Sequence, residues 1–207
     1  MNINPQPEPN SPLGFRALTR KDFLLLNKWL SEPQVERWWR HDPSPGGVEA
    51  DFGASVDGSD PTKLSLVYEG SRPIGLVQSY RIGDNPDWRD TLGVVDPSDD
   101  AVGIDYLIGE PDATGRGLGT AMLRDFVDEI WTRYPKAPAI VVAVQQGNPA
   151  SWRTLEKIGF RRIWAGPLQS DDPGDQGPSY VYAMTRPIAD NTGKGEPKPP
   201  MPASGAE

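Results

Sequence analysis

The chain has 207 residues, a formal net charge of −8, no cysteine and a single histidine, His41. Without cysteine there are no disulfide scaffolds, thiolate metal centres or Cys nucleophiles, and one histidine gives no His-rich centre, so no metal site is expected. The acidity is local. Nine acids between Asp84 and Asp112 stand against Arg89 alone, a net of −8 over that stretch, so the remainder is formally neutral. Such a field repels nucleic acid and anionic membranes and attracts cations; solvated acidic loops are the plainer alternative.

Residues 1–12 are rich in Pro and Asn, and 189–207 hold almost nothing that could be buried, so both are expected to be disordered tails. A single domain over 13–188 is expected between them. The first ten residues lack an apolar core, and no run approaches the ~20 apolar residues that span a bilayer, which points to the cytoplasm.

"GFRALT" (14–19) reads as a strand, and Thr19 with Asp22 resembles a helix start. Leu24, Leu25, Trp29 and Leu30 then recur at helical spacing, and Pro33 opens a second short helix, "PQVERWW". His41, in "RHDP", reads as a surface residue, and the Gly- and Asp-rich 46–62 as a loop. "KLSLVYEG" and "RPIGLVQSYRI" are two apolar runs around "EGSR", a hairpin pattern. "AVGIDYLIG" (101–109) is a further strand. "GLGTAMLRDFVDEIWTRY" is a helix with Leu123, Phe126, Val127 and Ile130 on one face, and "AIVVAV" is a strand buried on both faces. Asn148 and Pro149 suit a helix start, with Trp152, Leu155 and Ile158 on the buried side and Gly159 to close it. Strands near "FRRIWAG" and "SYVYAMTR" complete the order β-α-α-β-β-β-α-β-α-β-β, an α+β fold with helices on both sides of one sheet.

"TGRGLGT" (114–120) lies between a strand and a helix. Glycines let a ligand approach the backbone, and the unpaired N–H groups of the following helix favour an anion such as a pyrophosphate. Arg116 offers a charge-assisted bond. The spacing is neither a P-loop nor a Rossmann fingerprint, and an ordinary turn is the alternative. The helix start at Asn148 follows about one β-α unit later, so the two starts would grip an elongated cofactor if their strands are neighbours.

Together with "NPASWRTLEKIGF", this turn resembles the coenzyme A site of the GCN5-related N-acetyltransferases (GNAT superfamily). The superfamily pattern Q/R-x-x-G-x-G/A falls on Thr114, Gly117 and Gly119. Within it, "LTRKDFLLLNKWLSEPQVERWW", "RPIGLVQSY" and "GIDYLIG" are similar to the aminoglycoside 6′-N-acetyltransferases. The resemblance spans residues 14–187. It implies a mostly antiparallel mixed sheet whose splayed central strands form the cofactor cleft, and transfer of acetyl from acetyl-CoA to a primary amine. It also implies a bulged strand whose backbone near Leu107, Ile108 and Gly109 pairs with the pantetheine arm and offers an N–H to the thioester oxygen. Thr114, Gly115, Arg116, Gly117, Leu118, Gly119, Thr120 and Asn148 would hold the rest of the cofactor.

Amines attack thioesters only when neutral, so a proton acceptor is needed. Asp105, on the strand face with Gly103 and Leu107, matches the aspartate given this role in the resembled enzymes; the alternative is a structural aspartate. Trp88 and Trp39 could stack on a sugar ring, with Trp38 in the core, and Asp84 or Asp87 could hold an amine. Tyr80 and Tyr106 read as core residues. The resemblance departs at Ala143, where an aspartate is expected, at Leu155, where a tyrosine is expected to protonate the departing thiolate, and at Gln176, where an aspartate is expected although Asp175 lies alongside. The expected partner is a cationic small molecule, an aminoglycoside, bound by a monomer or homodimer. Other readings are a kasugamycin-type 2′-N-acetyltransferase, a siderophore-precursor N-acyltransferase, or a non-catalytic sensor of CoA or polyamine.

Overall fold

The computed structural model describes residues 13–170, 175 and 177–187. The expected tails, 1–12 and 189–207, fall outside the described residues, as does Gln176. Seven strands form one sheet in the order β1-β2-β3-β4-β5-β7-β6. They are β1 (Leu13–Ala17), β2 (Lys63–Glu69), β3 (Arg72–Arg81), β4 (Val102–Ile108), β5 (Ala139–Gln145), β6 (Arg161–Pro167) and β7 (Pro178–Thr185). Every neighbouring pair is antiparallel except β4 and β5, which run parallel and pair only at Val102 with Ile140 and Gly103 with Val141.

Helices cover both faces, as the hydrophobic periodicity predicts. On one face α5 (Leu118–Arg133) buries Met122, Leu123, Phe126, Val127 and Ile130 against Val77, Val102, Ile104 and Ile140 of the sheet. Leu155 of α6 (Pro149–Lys157) is fully buried in the same cluster, with Trp152 and Ile158 packed at its margin. On the other face α1 (Phe23–Leu30), α2 (Pro33–Trp39) and α3 (Pro45–Asp57) pack Leu26, Trp29, Leu30, Val35, Val48 and Phe52 onto Leu64, Leu66, Leu76 and Leu107.

Three local expectations are corrected. Residues 45–57 form α3 rather than part of a loop. Its glycines obscured a complete set of helix signals: Ser44 accepts from Gly47 N–H, Pro45 opens the first turn, Val48 and Phe52 share the buried face, and Gly58 ends it at φ 79°. Gly47 is required there, since a Cβ would sit 2.3 Å from the Asp42 carbonyl oxygen. Second, α1 begins after a 3-10 turn capped by Thr19 and Asp22, which rotates its stripe so that Leu26 is buried and Leu24 is 80% exposed. Third, a short helix, α4 (Pro86–Thr91), lies in the acidic stretch where no element was expected.

The end of β4 is tied down by Glu110. Its carboxylate accepts from Lys28 Nζ (2.9 Å), from the buried Trp29 indole (2.8 Å) and from Arg72 (3.0 Å), and its side chain is 13% exposed. Lys28 first, then Trp29 and Arg72, draw its pKa down to about 2 from 4.5. Because the folded value lies below the unfolded one, this stabilisation is full above about pH 4.5 and is lost as pH falls toward 2. Glu110→Gln is therefore expected to cost about 1–3 kcal/mol at neutral pH. Urea melts at pH 7 and pH 3 should show the gap between variant and parent narrowing in acid.

Candidate active site

Parallel strands that separate leave backbone groups without ladder partners, and β4 does so immediately after Gly103. Gly109 N–H donates to the Ile74 carbonyl (2.9 Å), which sets the alternation back along β4. By that register residues 105 and 107 hydrogen-bond to β3, while the N–H and C=O groups of Ile104, Tyr106 and Ile108 point toward β5, across the opening. Glu110 N–H shares the Ile74 carbonyl with Gly109, so the expected bulge lies at Gly109–Glu110, at the strand's end. Gly109 itself belongs to the packing: a Cβ there would lie 2.1 Å from the Trp29 ring, and its carbonyl accepts from Gln34 (3.3 Å).

Since β4 and β5 are parallel neighbours, the helices that follow them start at the same end of the sheet, where the strands part, and α5 packs against α6. The turn before α5 holds Gly115 at φ 71° and Gly117 at φ 81°. Thr114 closes the preceding 3-10 turn by donating to the Pro111 carbonyl (2.7 Å). No side chain caps α5; the Thr120 and Ala121 N–H groups bond back to the Gly117 carbonyl, while those of Leu118 and Gly119 head the first turn. A Cβ at Gly115, Gly117 or Gly119 would meet nothing within 4 Å, so this face is open to a ligand. Arg116 turns away from it and forms a two-pronged pair with Glu69 of β2 (2.8 and 3.2 Å), so it anchors the turn. Asn148 caps α6 by accepting from Ser151 N–H (3.2 Å), and its side chain reaches the same opening.

The opening continues into a cavity of about 1010 Å³ walled by α2, α3, α4, β4 and β5 and by the segments before β7. Asp51, Asp60, Asp87, Asp90, Asp105 and Asp175 line it, and no lysine or arginine does so among the described residues. Asp105, half-buried on β4, accepts from Gln78 Nε2 (2.8 Å) across the β3 pairing. Trp39, Asp87, Trp88 and Asp175, the candidate substrate residues, also line the cavity. Trp38 shares its wall instead of lying in the core, under the Arg37 guanidinium (4.7 Å).

Asp84 is corrected: it is exposed, pairs with Arg81 (3.6 Å) and does not reach the cavity. The acidic stretch thus divides in two. Arg81, Arg89 and Arg72 take up Asp84, Asp100, Asp96, Asp99, Glu110 and Asp112, leaving Asp87, Asp90 and Asp105 to face the cavity. Asp51 and Asp60 arrive from and beside α3, the helix hidden by its glycines. His41 joins them at the wall, still partly exposed, hydrogen-bonded to Asp51 (2.7 Å) between the Trp39 and Phe52 rings. Tyr80 is buried and Tyr106 half-buried against the core, and both border the cavity. The Tyr106 hydroxyl meets Ser151 Oγ at 2.7 Å, bridging β4 and α6.

A splayed parallel pair, with an uncapped helix start beside an anionic cavity, is the framework of an acyl-transfer site for a cationic acceptor. The chain belongs to the GNAT acetyltransferases: the family profile described as an acetyltransferase (GNAT) domain matches residues 19–166. It is 27% identical over 188 residues to aminoglycoside N(6′)-acetyltransferase type 1 of Klebsiella pneumoniae, covering 88% of each chain. Among solved structures, AAC(6′)-Ib with paromomycin and acetyl-CoA superposes with a TM-score of 0.72 at 26% identity, over 85% of this chain and 94% of that one. The same kind of enzyme with coenzyme A and kanamycin gives 0.71 at 26% identity, over 84% and 95%.

Among the described residues no helix is long and apolar enough to cross a membrane, and no cluster of His, Asp and Glu has the arrangement to hold a metal ion.

Proposed function

We propose that this chain transfers the acetyl group of acetyl-CoA to a primary amine of an aminoglycoside, the 6′-amino group, and thereby inactivates the antibiotic. The observation that carries the reading is the cavity itself, with six aspartates and no described basic side chain, opening onto the gap between β4 and β5. A polyamine carrying several charges suits it, whereas a hydrophobic or anionic acceptor does not.

The pantetheine arm of acetyl-CoA lies along the free edge of β4, its amides pairing with the outward backbone groups of Tyr106 and Ile108. Its pyrophosphate meets the N–H groups of Leu118 and Gly119. The acceptor enters as an ammonium, held by cavity carboxylates, and gives a proton to Asp105. The neutral nitrogen then attacks the thioester carbon, an outward β4 N–H stabilises the oxygen charge, and the C–S bond breaks with its electron pair on sulfur. The acylated nitrogen releases its second proton to water or to the departing sulfur, leaving a neutral amide. Leu155 is buried in the core and supplies no proton, so coenzyme A departs as the thiolate or takes its proton from water or another group. Ala143 lines the wall without a charge; Asp87, Asp90 and Asp175 provide the carboxylates around it. Both reactants are compatible with a cytoplasmic protein, since acetyl-CoA is made and used there.

The direct test is release of free thiol from acetyl-CoA with a panel of aminoglycosides, followed by mapping the acetylated nitrogen by NMR. Acetylation at another nitrogen, or none, would overturn the 6′ assignment or the activity. Salt provides a second check. Exposed charge attraction is screened beyond ~10 Å at 0.1 M ionic strength, so kcat/KM for the aminoglycoside should fall as salt rises. A flat response would assign the cavity aspartates to solubility instead.

A further inference from the structure

The geometry points to Tyr80 as the positioning residue of Asp105, with Gly103 present to make room for it. This rests on the reading of Asp105 as the proton acceptor. Tyr80 and Gly103 are direct cross-strand partners between β3 and β4, and Gln78 and Asp105 are the next pair along the same face. A Cβ at position 103 would lie 2.3 Å from Tyr80 Cε2, 2.6 Å from Cζ and 2.9 Å from Oη. The outer edge of the phenol ring, hydroxyl included, therefore fills the space that a side chain at 103 would take, on the sheet face that Gly103 shares with Asp105. Its hydroxyl hydrogen-bonds the Asp105 carboxylate and also interacts with the Trp88 side chain.

Chemistry fixes the directions of these bonds. An indole only donates, so Trp88 gives its N–H to the Tyr80 oxygen, and the phenol must spend its own proton on Asp105. Burial, and then the Asp105 charge, push the Tyr80 pKa well above that of a free phenol, so it remains a donor throughout the working pH range. Gln78 Nε2 holds the Oδ2 oxygen from the facing strand (2.8 Å). Two neutral donors thus orient a carboxylate that must be ionised to take the amine's proton. Trp88 stands on α4, the substrate-side helix, so the chain Trp88–Tyr80–Asp105 links that wall to the reacting group.

The other titratable groups that line the cavity with Asp105 are Tyr106 beside it on β4, Asp87 and Asp90 on α4, Asp60, Asp175, and the His41–Asp51 pair. The carboxylates among them disfavour a further negative charge, and the two donors work against that.

Tyr80→Phe keeps the ring over Gly103 and removes only the hydroxyl. In the full chain it should lower kcat for the aminoglycoside roughly 10- to 100-fold, the size of one lost hydrogen bond to a charged group. The acidic limb of kcat/KM should move up by about one pH unit, because the carboxylate loses a donor. Acetyl-CoA KM should not change. Should this variant fail to fold, 3-fluorotyrosine at position 80, a more acidic phenol of nearly the same size, should move that limb down instead. A folded Tyr80→Phe protein with parental kcat and pH profile, or a fluorotyrosine protein with an unmoved limb, would overturn the inference. Asp105→Asn separates the two levels: its loss of activity beside an unaffected Tyr80→Phe protein defeats the positioning role alone, whereas an active Asp105→Asn protein defeats the base itself.

Discussion

Asp105→Asn is expected to lower kcat/KM for the acceptor amine by roughly 10²–10⁴ at pH 7, the usual contribution of a positioned acid–base group. The substitution keeps the size of the side chain, and its amide oxygen can still accept from Gln78, which reaches this position at 2.8 Å. What disappears is the site for the ammonium proton and the charge that holds it. Acetyl-CoA affinity should survive, because the turn at Gly115 and Gly117 and the start of α5 are separate from this carboxylate. The defect should shrink as pH rises toward the amine's own pKa, where the nucleophile is already neutral. Rates across a pH series, with acetyl-CoA binding measured separately, test this. Near-parental activity at pH 7 would make Asp105 a structural residue held by Gln78 and Tyr80.

What the sequence revealed follows from which signals are local. The β4 and β5 runs, the α5 stripe and the Asn148–Pro149 cap are read from periodicity and from the stereochemistry of a few residues, and each element is where those signals put it. The Gly-rich turn was legible for the same reason, since positive φ at Gly115 and Gly117 is a property of two residues. The cavity wall was not. Asp51 and His41 belong to it only because α3 folds across the sheet, and α3 carries Gly46, Gly47 and Gly53, which mask its apolar period. Asp84 and Asp87 are indistinguishable as letters three residues apart. The 3-10 turn at 82–84 sends the first to Arg81 and outward, and α4 points the second inward. Tyr80 shows the same limit from the other side. Burial was readable, but its reach to Asp105 depends on a glycine in the neighbouring strand, 23 positions later in the sequence.

Gly117→Val is expected to raise the acetyl-CoA KM about 10- to 100-fold while leaving kcat at saturating cofactor close to the parent's. Two effects act together. Gly117 sits at φ 81°, where a β-branched residue is strained by roughly 1–3 kcal/mol, so the turn would shift. The new methyl groups would also stand before the N–H groups of Leu118 and Gly119, the donors left to the pyrophosphate at the uncapped start of α5. Charge-assisted hydrogen bonds of this kind are about twice as strong as neutral ones, and losing one or two accounts for the expected size. Gly119→Ala separates obstruction from strain. Gly119 lies inside the first turn of α5 without positive φ, a Cβ there meets nothing within 4 Å, and alanine is the better helix former. It should therefore keep or slightly raise the melting temperature while still weakening acetyl-CoA binding. Calorimetric titration of both folded variants with coenzyme A decides the matter: parental affinity in both would remove the pyrophosphate from this turn, and with it the alignment of the thioester beside Asp105.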